Sequence, residues 1–186
     1  MSERIGRLPP LTLSGASHSM KIFRAPVIIL GLLYLCFFGF LASSTSHLPK
    51  QVATHFDGQG QPDGWMGRDS LLRHMTVFGL AFPLFVPALM YITRFLPDGL
   101  WNIPHRDYWF APTRRPETCA YCFRHSLWFA SLALCFVTGI HYSIIQANKL
   151  GQAHLSTLLV LALAGCFLAG TAVWGASMVR HFNHVA

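Results

Sequence analysis

The chain is 186 residues long, with 53% hydrophobic and only 11% charged residues. This composition excludes an ordinary soluble domain and favours an integral membrane protein. The net charge of +7 is spread between apolar segments, so we expect the basic side chains to contact lipid headgroups and predict no nucleic-acid partner. The five cysteines are an odd number and three lie inside apolar runs, which argues against a disulfide framework.

Four predominantly apolar segments are each long enough to cross a hydrocarbon core of about 30 Å as a helix. They predict spans at about residues 25–43, 73–94, 125–147 and 154–179. Pro83 and Pro87 fall inside the second, where a membrane helix tolerates them if neighbouring groups bond the freed carbonyls. We therefore predict an all-α integral membrane protein, a four-helix transmembrane bundle with a structured extracytoplasmic loop between helices 1 and 2.

The polar segments complete this organisation. The prediction is a basic cytoplasmic tail (1–24), one membrane domain (25–180) with an outer loop (44–72) and an inner aromatic and basic link (95–124), and a cytoplasmic C-terminus (181–186). The first apolar run is too long for a signal-peptide core, so we expect it to be retained. The short link 149–152 predicts that the last two spans form an antiparallel hairpin.

The lysines and arginines indicate an orientation. If the N-terminus is cytoplasmic, ten of these residues lie on that side and four on the other. Because cytoplasmic loops carry the excess of positive charge, we predict a multi-pass protein of the bacterial inner membrane with both termini in the cytoplasm. The loop at 44–72 then faces outward.

Glycines and a Pro62-Asp63-Gly64 turn signal predict that the outer loop is compact. Its polar side chains can serve as the hydrogen-bonding frame of the loop, which we favour, or contact a ligand such as a cation. The spacing does not match an EF-hand. The candidate residues are Pro49, Thr54, His55, Phe56, Asp57, Gly60, Asp63, Gly64 and Trp65.

The same loop carries a family resemblance. The runs His47-Leu48-Pro49, Thr54-His55-Phe56-Asp57 and Gly60-Gln61-Pro62-Asp63-Gly64-Trp65 resemble the signature of a small bacterial membrane domain of unknown function, which also forms the N-terminal part of SdpI-type toxin-immunity proteins. The resemblance implies a multi-pass, non-enzymatic membrane protein, with relatives that confer immunity to a secreted toxin. Those immunity proteins have additional C-terminal spans that are not predicted here, so the resemblance suggests the domain rather than immunity.

The inner link mixes aromatic rings with arginines. Such a segment can lie along the headgroup layer, rings in the interface and guanidinium groups on phosphates, which we favour, or form a docking surface for a cytoplasmic partner. The candidate residues are Trp101, Asp107, Tyr108, Trp109, Arg114 and Arg115.

Two sets of residues could bind a metal, although we favour no metal and no cofactor. Cys119 and Cys122 form a lone CxxC followed by His125, which is a weak zinc signal without a second CxxC. His74, His141 and His154 could bind a transition metal or haem if they converged at the outer ends of their spans. His141 lies about two helical turns from that end, so we expect its ring to reach the interface.

Small residues recur at four-residue spacing in the last span, at Ala162, Cys166 and Gly170. This spacing allows two helix backbones to approach closely. We favour packing within the bundle, with a homodimer face as the alternative.

The sequence contains no nucleophile elbow, phosphate-binding loop or HExxH motif, and no pair of carboxylates within a span, so we predict no enzymatic activity. The favoured function is recognition, immunity or sensing through the outer loop, with the lipid bilayer and an extracytoplasmic peptide as partners. One alternative is an accessory or assembly subunit of a larger membrane complex. Another is a metal- or haem-binding protein that uses the outer histidines.

Overall fold

The computed structural model describes residues 14–149 and 153–184, with side chains described from residue 24 onward. The chain is mostly helical. In chain order the elements are α1 (Ser14–Thr45), β1 (Gln51–Phe56), β2 (Pro62–Gly67), α2 (Arg68–Thr93), a 3₁₀ turn (Asp98–Leu100), α3 (Arg106–Trp109), α4 (Arg115–Lys149) and α5 (Thr157–Asn183).

Four helices are long and apolar enough to cross a membrane, namely Arg24–Thr45 within α1, then α2, α4 and α5. This confirms the prediction of four apolar helices in a multi-pass protein. Several bounds differ from the expectation, including the start of α2 at Arg68, inside the predicted outer loop, and the end of α5 at Asn183, inside the predicted C-terminal segment. Helix α1 begins at Ser14, inside the segment predicted as a tail, and α4 begins at Arg115, inside the predicted inner link. Residues 1–13 of the predicted tail, residues 150–152 of the predicted link and residues 185–186 lie outside the described residues.

The prediction of an all-α fold is wrong in one respect, because residues 51–67 form a two-stranded antiparallel sheet. Its register pairs Val52 with Met66 and Ala53 with Trp65, and shifts beyond Ala53 in a bulge. Strand β1 carries β-branched and aromatic residues that favour a pleated surface. Strand β2 is short and rich in Gly and Pro, which conceals it in the sequence, and it forms because β1 supplies its hydrogen-bonding partner.

Helix α4 lies at the centre of the bundle and packs against α1, α2 and α5. Half of its most apolar stretch is buried, whereas none of the corresponding stretch of α5 is. The core between α1, α2 and α4 is built on Phe37, Leu41, Leu134 and Val137. Because α5 packs chiefly against α4, it leaves most of its apolar surface open to the surroundings.

The helices alternate in direction, which gives the bundle two distinct ends. At the hairpin end, α1 and α4 finish, α2 and α5 begin, and the β-hairpin covers a second apolar cluster that includes Leu48, Val52 and Leu71. At the link end, α2 and α5 finish, α4 begins, and the segment 94–114 connects α2 to α4.

Helix α2 runs unbroken through Pro83 and Pro87. Because Pro83 has no N–H, the carbonyl of Gly79 loses its usual helical donor. The Tyr34 hydroxyl on α1 donates a hydrogen bond to this carbonyl at 3.2 Å. Gly79 also lacks a side chain where Phe37 of α1 packs, and a Cβ there would overlap the Phe37 ring. The proline and the glycine thus fit α2 closely against α1.

Candidate functional site

The β-hairpin is attached to the helices through the side chain of Asn148, in the last turn of α4. Its Oδ1 accepts a hydrogen bond from the Ala53 N–H and its Nδ2 donates to the Ala53 carbonyl, both at 2.9 Å. Nδ2 also donates to the Ile144 carbonyl of its own helix at 2.9 Å. Ala53 is fully buried, so these bonds satisfy backbone groups that water does not reach. The Asn148 side-chain amide thus makes the two hydrogen bonds that a neighbouring strand would otherwise make with Ala53 of β1.

The tip of the hairpin is attached separately, to the segment that leads into α5. Gly60 adopts a positive φ of 81°, and its carbonyl accepts a hydrogen bond from the Leu155 N–H at 2.9 Å. A side chain at this position would overlap the Leu155 carbonyl oxygen and crowd the His154 ring. Gly60 is therefore required both by its backbone conformation and by the close approach of residues 154–155.

The turn between the strands is held by Asp57. Its Oδ1 accepts hydrogen bonds from the backbone N–H groups of Gln59 and Gln61, each at 2.8 Å. The backbone adds a bond from the Asp57 N–H to the Gln61 carbonyl at 2.9 Å. The Asp57 carboxylate thus accepts two hydrogen bonds from the turn's own backbone, as expected of an aspartate that stabilises a loop.

The base of the hairpin is fixed by Arg68, the first residue of α2. Its Nη1 donates to the carbonyls of Ser46 and Leu48, both at 3.3 Å, and its backbone N–H donates to the Lys50 carbonyl at 3.0 Å. These bonds join the end of α1 to the start of α2. With Asn148 and Gly60, they attach the hairpin to all four long helices or the segments beside them.

The exposed surface of this fixed hairpin, here called its outward face, carries a hydrogen-bonded His–Asp pair and an indole. His55 Nδ1 lies in short hydrogen-bond contact with Asp63 Oδ1 across the strands, with side chains 76% and 48% exposed. Gly64 pairs with His55, and a Cβ on Gly64 would lie 2.7 Å from the His55 Cβ. Trp65 follows and is 57% exposed. This surface offers a carboxylate, an imidazole and an aromatic face on a backbone that cannot easily move.

The remaining signature residues support this arrangement from different positions. Pro49 is exposed at the turn before β1, while Thr54 and Phe56 are half-buried along that strand. The structure therefore brings His55, Asp63 and Gly64 together, leaves Trp65 exposed next to Gly64 on β2, and places Asp57 and Gly60 at the tip. A cation site in the loop has no geometric support, because Asp57 and Asp63 bind different partners.

The three histidines predicted at the outer ends of their spans do not share a site. His74 Nδ1 donates to the Ser70 carbonyl at 2.7 Å, His154 lies against Gly60, and His141 Nε2 lies 2.9 Å from the Ser44 hydroxyl. His141 is fully buried, so the expectation that its ring reaches the interface is wrong. Across the described residues, no group of three or more His, Cys, Asp or Glu side chains is placed to hold a metal ion.

The buried His141 has a defined tautomer. Ser44 donates its hydroxyl proton to the Phe40 carbonyl at 2.6 Å, so it can only accept from the imidazole. His141 Nε2 therefore carries the proton. Its Nδ1 has no partner among the described residues. The ring joins α4 to α1 through this hydrogen bond and through an edge contact with Phe40, at 5.3 Å between ring centroids.

At the link end, the predicted interfacial residues fold back onto the helices. The Trp109 indole N–H donates to the Phe182 carbonyl of α5 at 3.0 Å, and the guanidinium of Arg114 lies 3.8 Å from the centre of the Tyr108 ring. Trp101 packs on Phe110, with 5.0 Å between their ring centroids. Asp107 remains exposed and pairs with Arg106 at 3.4 Å.

The CxxC segment lies in the first turns of α4. Cys119 is half-buried and Cys122 is buried, and both are free thiols. His125 Nε2 donates to the Trp174 carbonyl of α5 at 3.1 Å, and the Trp174 indole donates back to the His125 carbonyl at 2.9 Å. His125 is thus engaged in joining α4 to α5.

Sequence reasoning missed Asn148, Tyr34 and Leu155, which make the cross-element bonds described above. None of the three is an unusual residue type for its segment, so nothing in the sequence singles it out. An amide at the end of an apolar run indicates a hydrogen-bonding partner, but it does not identify that partner as the backbone of Ala53.

The sequence model of one family, described as "Domain of unknown function (DUF1648)", matches residues 31–73. The matched segment runs from α1 through the whole hairpin into the first turns of α2. None of the curated proteins and none of the solved structures compared with the chain matches it. The similarity to this family is therefore centred on the hairpin and on the helix ends that hold it.

Proposed function

We propose that this chain is a non-catalytic multi-pass membrane protein that binds an extracytoplasmic peptide or protein segment through the outward face of the β-hairpin. One observation carries the proposal: the pair of His55 and Asp63 and the Trp65 ring are exposed on a hairpin whose backbone is bonded to the helix ends at Ala53, Gly60 and Lys50. A rigid backbone with exposed functional groups loses little conformational entropy on binding.

The exposed groups suit recognition better than stability. A polar side-chain pair open to water contributes little to folding, about 1 kcal/mol or less even when both groups are charged. The apolar surface of an exposed indole contributes favourable free energy only when a partner buries it. Tryptophan is among the residues enriched at the energetic centres of interfaces. A carboxylate and an imidazole beside it can accept and donate hydrogen bonds to a peptide backbone or to a charged side chain.

The proposed orientation places the hairpin outside a bacterial inner membrane and both chain termini in the cytoplasm. The charge count of ten lysines and arginines to four supports it. Immunity to a secreted toxin, or sensing of one, would be a specific form of the same recognition, and the similarity of residues 31–73 to a family without an assigned activity leaves the choice of ligand to experiment.

A photo-crosslinking amino acid at position 58 tests the proposal in intact membranes. Gly58 lies at the tip, and a Cβ there meets nothing within 4 Å, so the probe should not disturb the fold. We expect a discrete protein or peptide adduct that Asp63→Asn and Trp65→Ala each reduce by about tenfold or more, on the scale of a hot-spot residue. Gln59→Ala is the matched control and should leave the adduct unchanged, because only the backbone of Gln59 has a structural role.

Adducts to lipid alone would contradict the proposal, since they would make Trp65 a membrane anchor. Protein adducts that persist in both Asp63→Asn and Trp65→Ala would also contradict the proposal. The unfolding midpoint of each variant, measured in the same detergent, separates loss of binding from loss of the hairpin.

A second candidate is an accessory subunit of a larger membrane complex, and the exposed surface of α5 favours it. None of the most apolar stretch of α5 is buried, and Ala162 and Cys166 lie on its open side. The same crosslinker at Gly165, where a Cβ also meets nothing within 4 Å, should then capture a fixed set of membrane proteins. Adducts at position 58 with none at position 165 would favour recognition through the hairpin instead.

A further inference from the structure

A groove of about 540 Å³ opens at the link end, between the last turns of α2 and the first turns of α4. Its walls are mainly apolar and include Met90, Tyr91, Ala120 and Phe123. Two guanidinium groups, those of Arg94 and Arg115, also line it. The groove therefore suits a ligand that has both an apolar part and an anionic group, rather than a purely hydrophobic partner or a free ion.

Arg115 is held in place by the end of α2. Its Nε donates to Asp98 Oδ1 at 2.7 Å, and its Nη2 donates to the carbonyls of Arg94 and Leu96 at 3.1 and 3.2 Å. The last carbonyls of a helix have no helical partner and carry partial negative charge, so this guanidinium stabilises the helix end. Its position is therefore fixed, and Asp98 offsets its charge.

The charge of Arg94 is not offset in this way. The described part of the chain contains three Arg–Asp ion pairs and the His55–Asp63 pair, and Arg94 takes part in none of them. Its guanidinium lies 5.1 Å from the centre of the Tyr91 ring and 5.3 Å from that of Phe95. Contacts with ring faces leave the N–H donors of an arginine free, and its planar fork fits the oxygens of a phosphate.

The groove lies where a headgroup would be. Arg94 follows directly after the last residue of α2, one of the four helices able to span a membrane, while Met90 and Tyr91 lie about one turn deeper. The surroundings are cationic, with six arginines against three carboxylates in residues 94–124 and 180. Basic pockets between helices at the membrane surface suit anionic lipid headgroups.

We propose that this groove binds an anionic phospholipid of the leaflet at the link end. Arg94 donates to the phosphate, Arg115 fixes the end of α2 beside it, and the first part of an acyl chain lies along Met90, Tyr91 and Phe123. The apolar wall selects a lipid over free phosphate, and the uncompensated charge of Arg94 selects an anionic lipid over a zwitterionic one. The inference does not depend on the hairpin's function or on which side of the membrane the link end occupies.

Native mass spectrometry of the full chain released from nanodiscs of equal phosphatidylglycerol and phosphatidylcholine tests this. We expect the wild type to retain phosphatidylglycerol preferentially, and Arg94→Gln to lower that preference about fivefold, as expected for one basic residue near a membrane surface. Arg94→Lys should restore part of the preference. Ala120→Phe fills the groove without changing charge and should lower total retention of both lipids.

Arg180→Gln is the matched control, because Arg180 is an exposed arginine in the last turn of α5 and does not line the groove. An equal loss of preference in Arg180→Gln and Arg94→Gln would overturn the site, since it would indicate general surface charge. Unchanged retention in both Arg94→Gln and Ala120→Phe would also overturn it. Displacement of the lipid by soluble glycerol 3-phosphate would identify a site for free phosphate esters rather than for lipid. If Arg94→Gln does not fold, Ala120→Phe decides the result.

Discussion

Asn148 satisfies both backbone polar groups of Ala53, and no other residue in the described part of the chain is bonded to them by a side chain. The amide of Asn148 offers one acceptor and two donors, so a single side chain can serve an N–H and a C=O at once. Ala53 has no exposed surface, and a lost bond cannot be replaced by water without opening the hairpin. The attachment of β1 to α4 is therefore concentrated in one residue.

Replacing Asn148 with alanine should lower the free energy of unfolding by about 2 to 3 kcal/mol, because a buried donor and a buried acceptor lose their partner. Hydrogen exchange of the Ala53 amide should accelerate, while exchange in the middle of α4 stays slow. Gln146→Ala is the control, since Gln146 donates only to Tyr142 in its own helix. Equal effects of the two substitutions on the Ala53 amide would contradict this account of the attachment.

For several residues of the site, the sequence predicted the local conformation but not the residues that they contact. Asp57 was expected to cap a turn and Gly60 was among the glycines able to accept a positive φ, and both do so. The turn signal at Pro62-Asp63-Gly64 was wrong, because these residues begin β2 and the turn lies at residues 57–61. The contact between Gly60 and Leu155 joins residues far apart in the chain, and no local pattern encodes it. The burial of His141 was missed for the same reason, since it depends on where Ser44 and Phe40 of α1 lie.

At the scale of single elements, α2 contains two prolines of a kind that would interrupt a helix in water, and it continues through both of them. Pro83 withdraws the donor from the Gly79 carbonyl, and Tyr34 of the neighbouring helix replaces it. In a hydrocarbon environment an unpaired carbonyl is costly, so the tyrosine and the proline should depend on each other. Hydropathy predicted the existence of α2, whereas the identity of its supporting residue depends on how α1 packs.

A double-mutant cycle on Tyr34 and Pro83 tests this dependence. Tyr34→Phe should lower the free energy of unfolding by about 1 kcal/mol, because the Gly79 carbonyl loses its donor. In a Pro83→Ala background the same substitution should cost much less, since the alanine N–H can bond that carbonyl within the helix. The energies can be measured by equilibrium unfolding in mixed micelles. Strictly additive effects would show that the tyrosine hydroxyl does not compensate for the proline.

The hairpin and the extent of α4 mark the limits of element prediction. Long apolar runs identify membrane helices because the bilayer sets their length. Strand β2 begins with Pro62, contains Gly64 and ends with Gly67, so neither propensity nor alternation indicates a strand. Helix α4 extends to Arg115 because its first turns pack on α2 and bond the link, which hydropathy alone cannot detect.

At the scale of the whole molecule, α4 organises the bundle and α5 is attached to it along one side. Small residues permit this attachment: a Cβ on Gly170 would lie 2.8 Å from a methyl group of Leu132, and one on Gly139 would lie 2.6 Å from a methyl group of Leu163. Gly170 therefore packs within the bundle, as the sequence favoured. Ala162 and Cys166, which share its four-residue spacing, are exposed, so the stripe does not act as one surface.

Gly170 and Gly165 form a matched pair for testing how the bundle holds α5. Gly170→Val should displace α5 from α4 and lower the free energy of unfolding by about 1 to 3 kcal/mol, the usual range for overpacking a close contact. Gly165→Val should be nearly neutral in the isolated chain, because a Cβ there meets nothing within 4 Å. Thermal unfolding in detergent, together with blue-native migration of both variants, gives stability and assembly state in parallel. If Gly165→Val changed the assembly state while Gly170→Val did not change stability, α5 would owe its position to contacts with another chain rather than to α4.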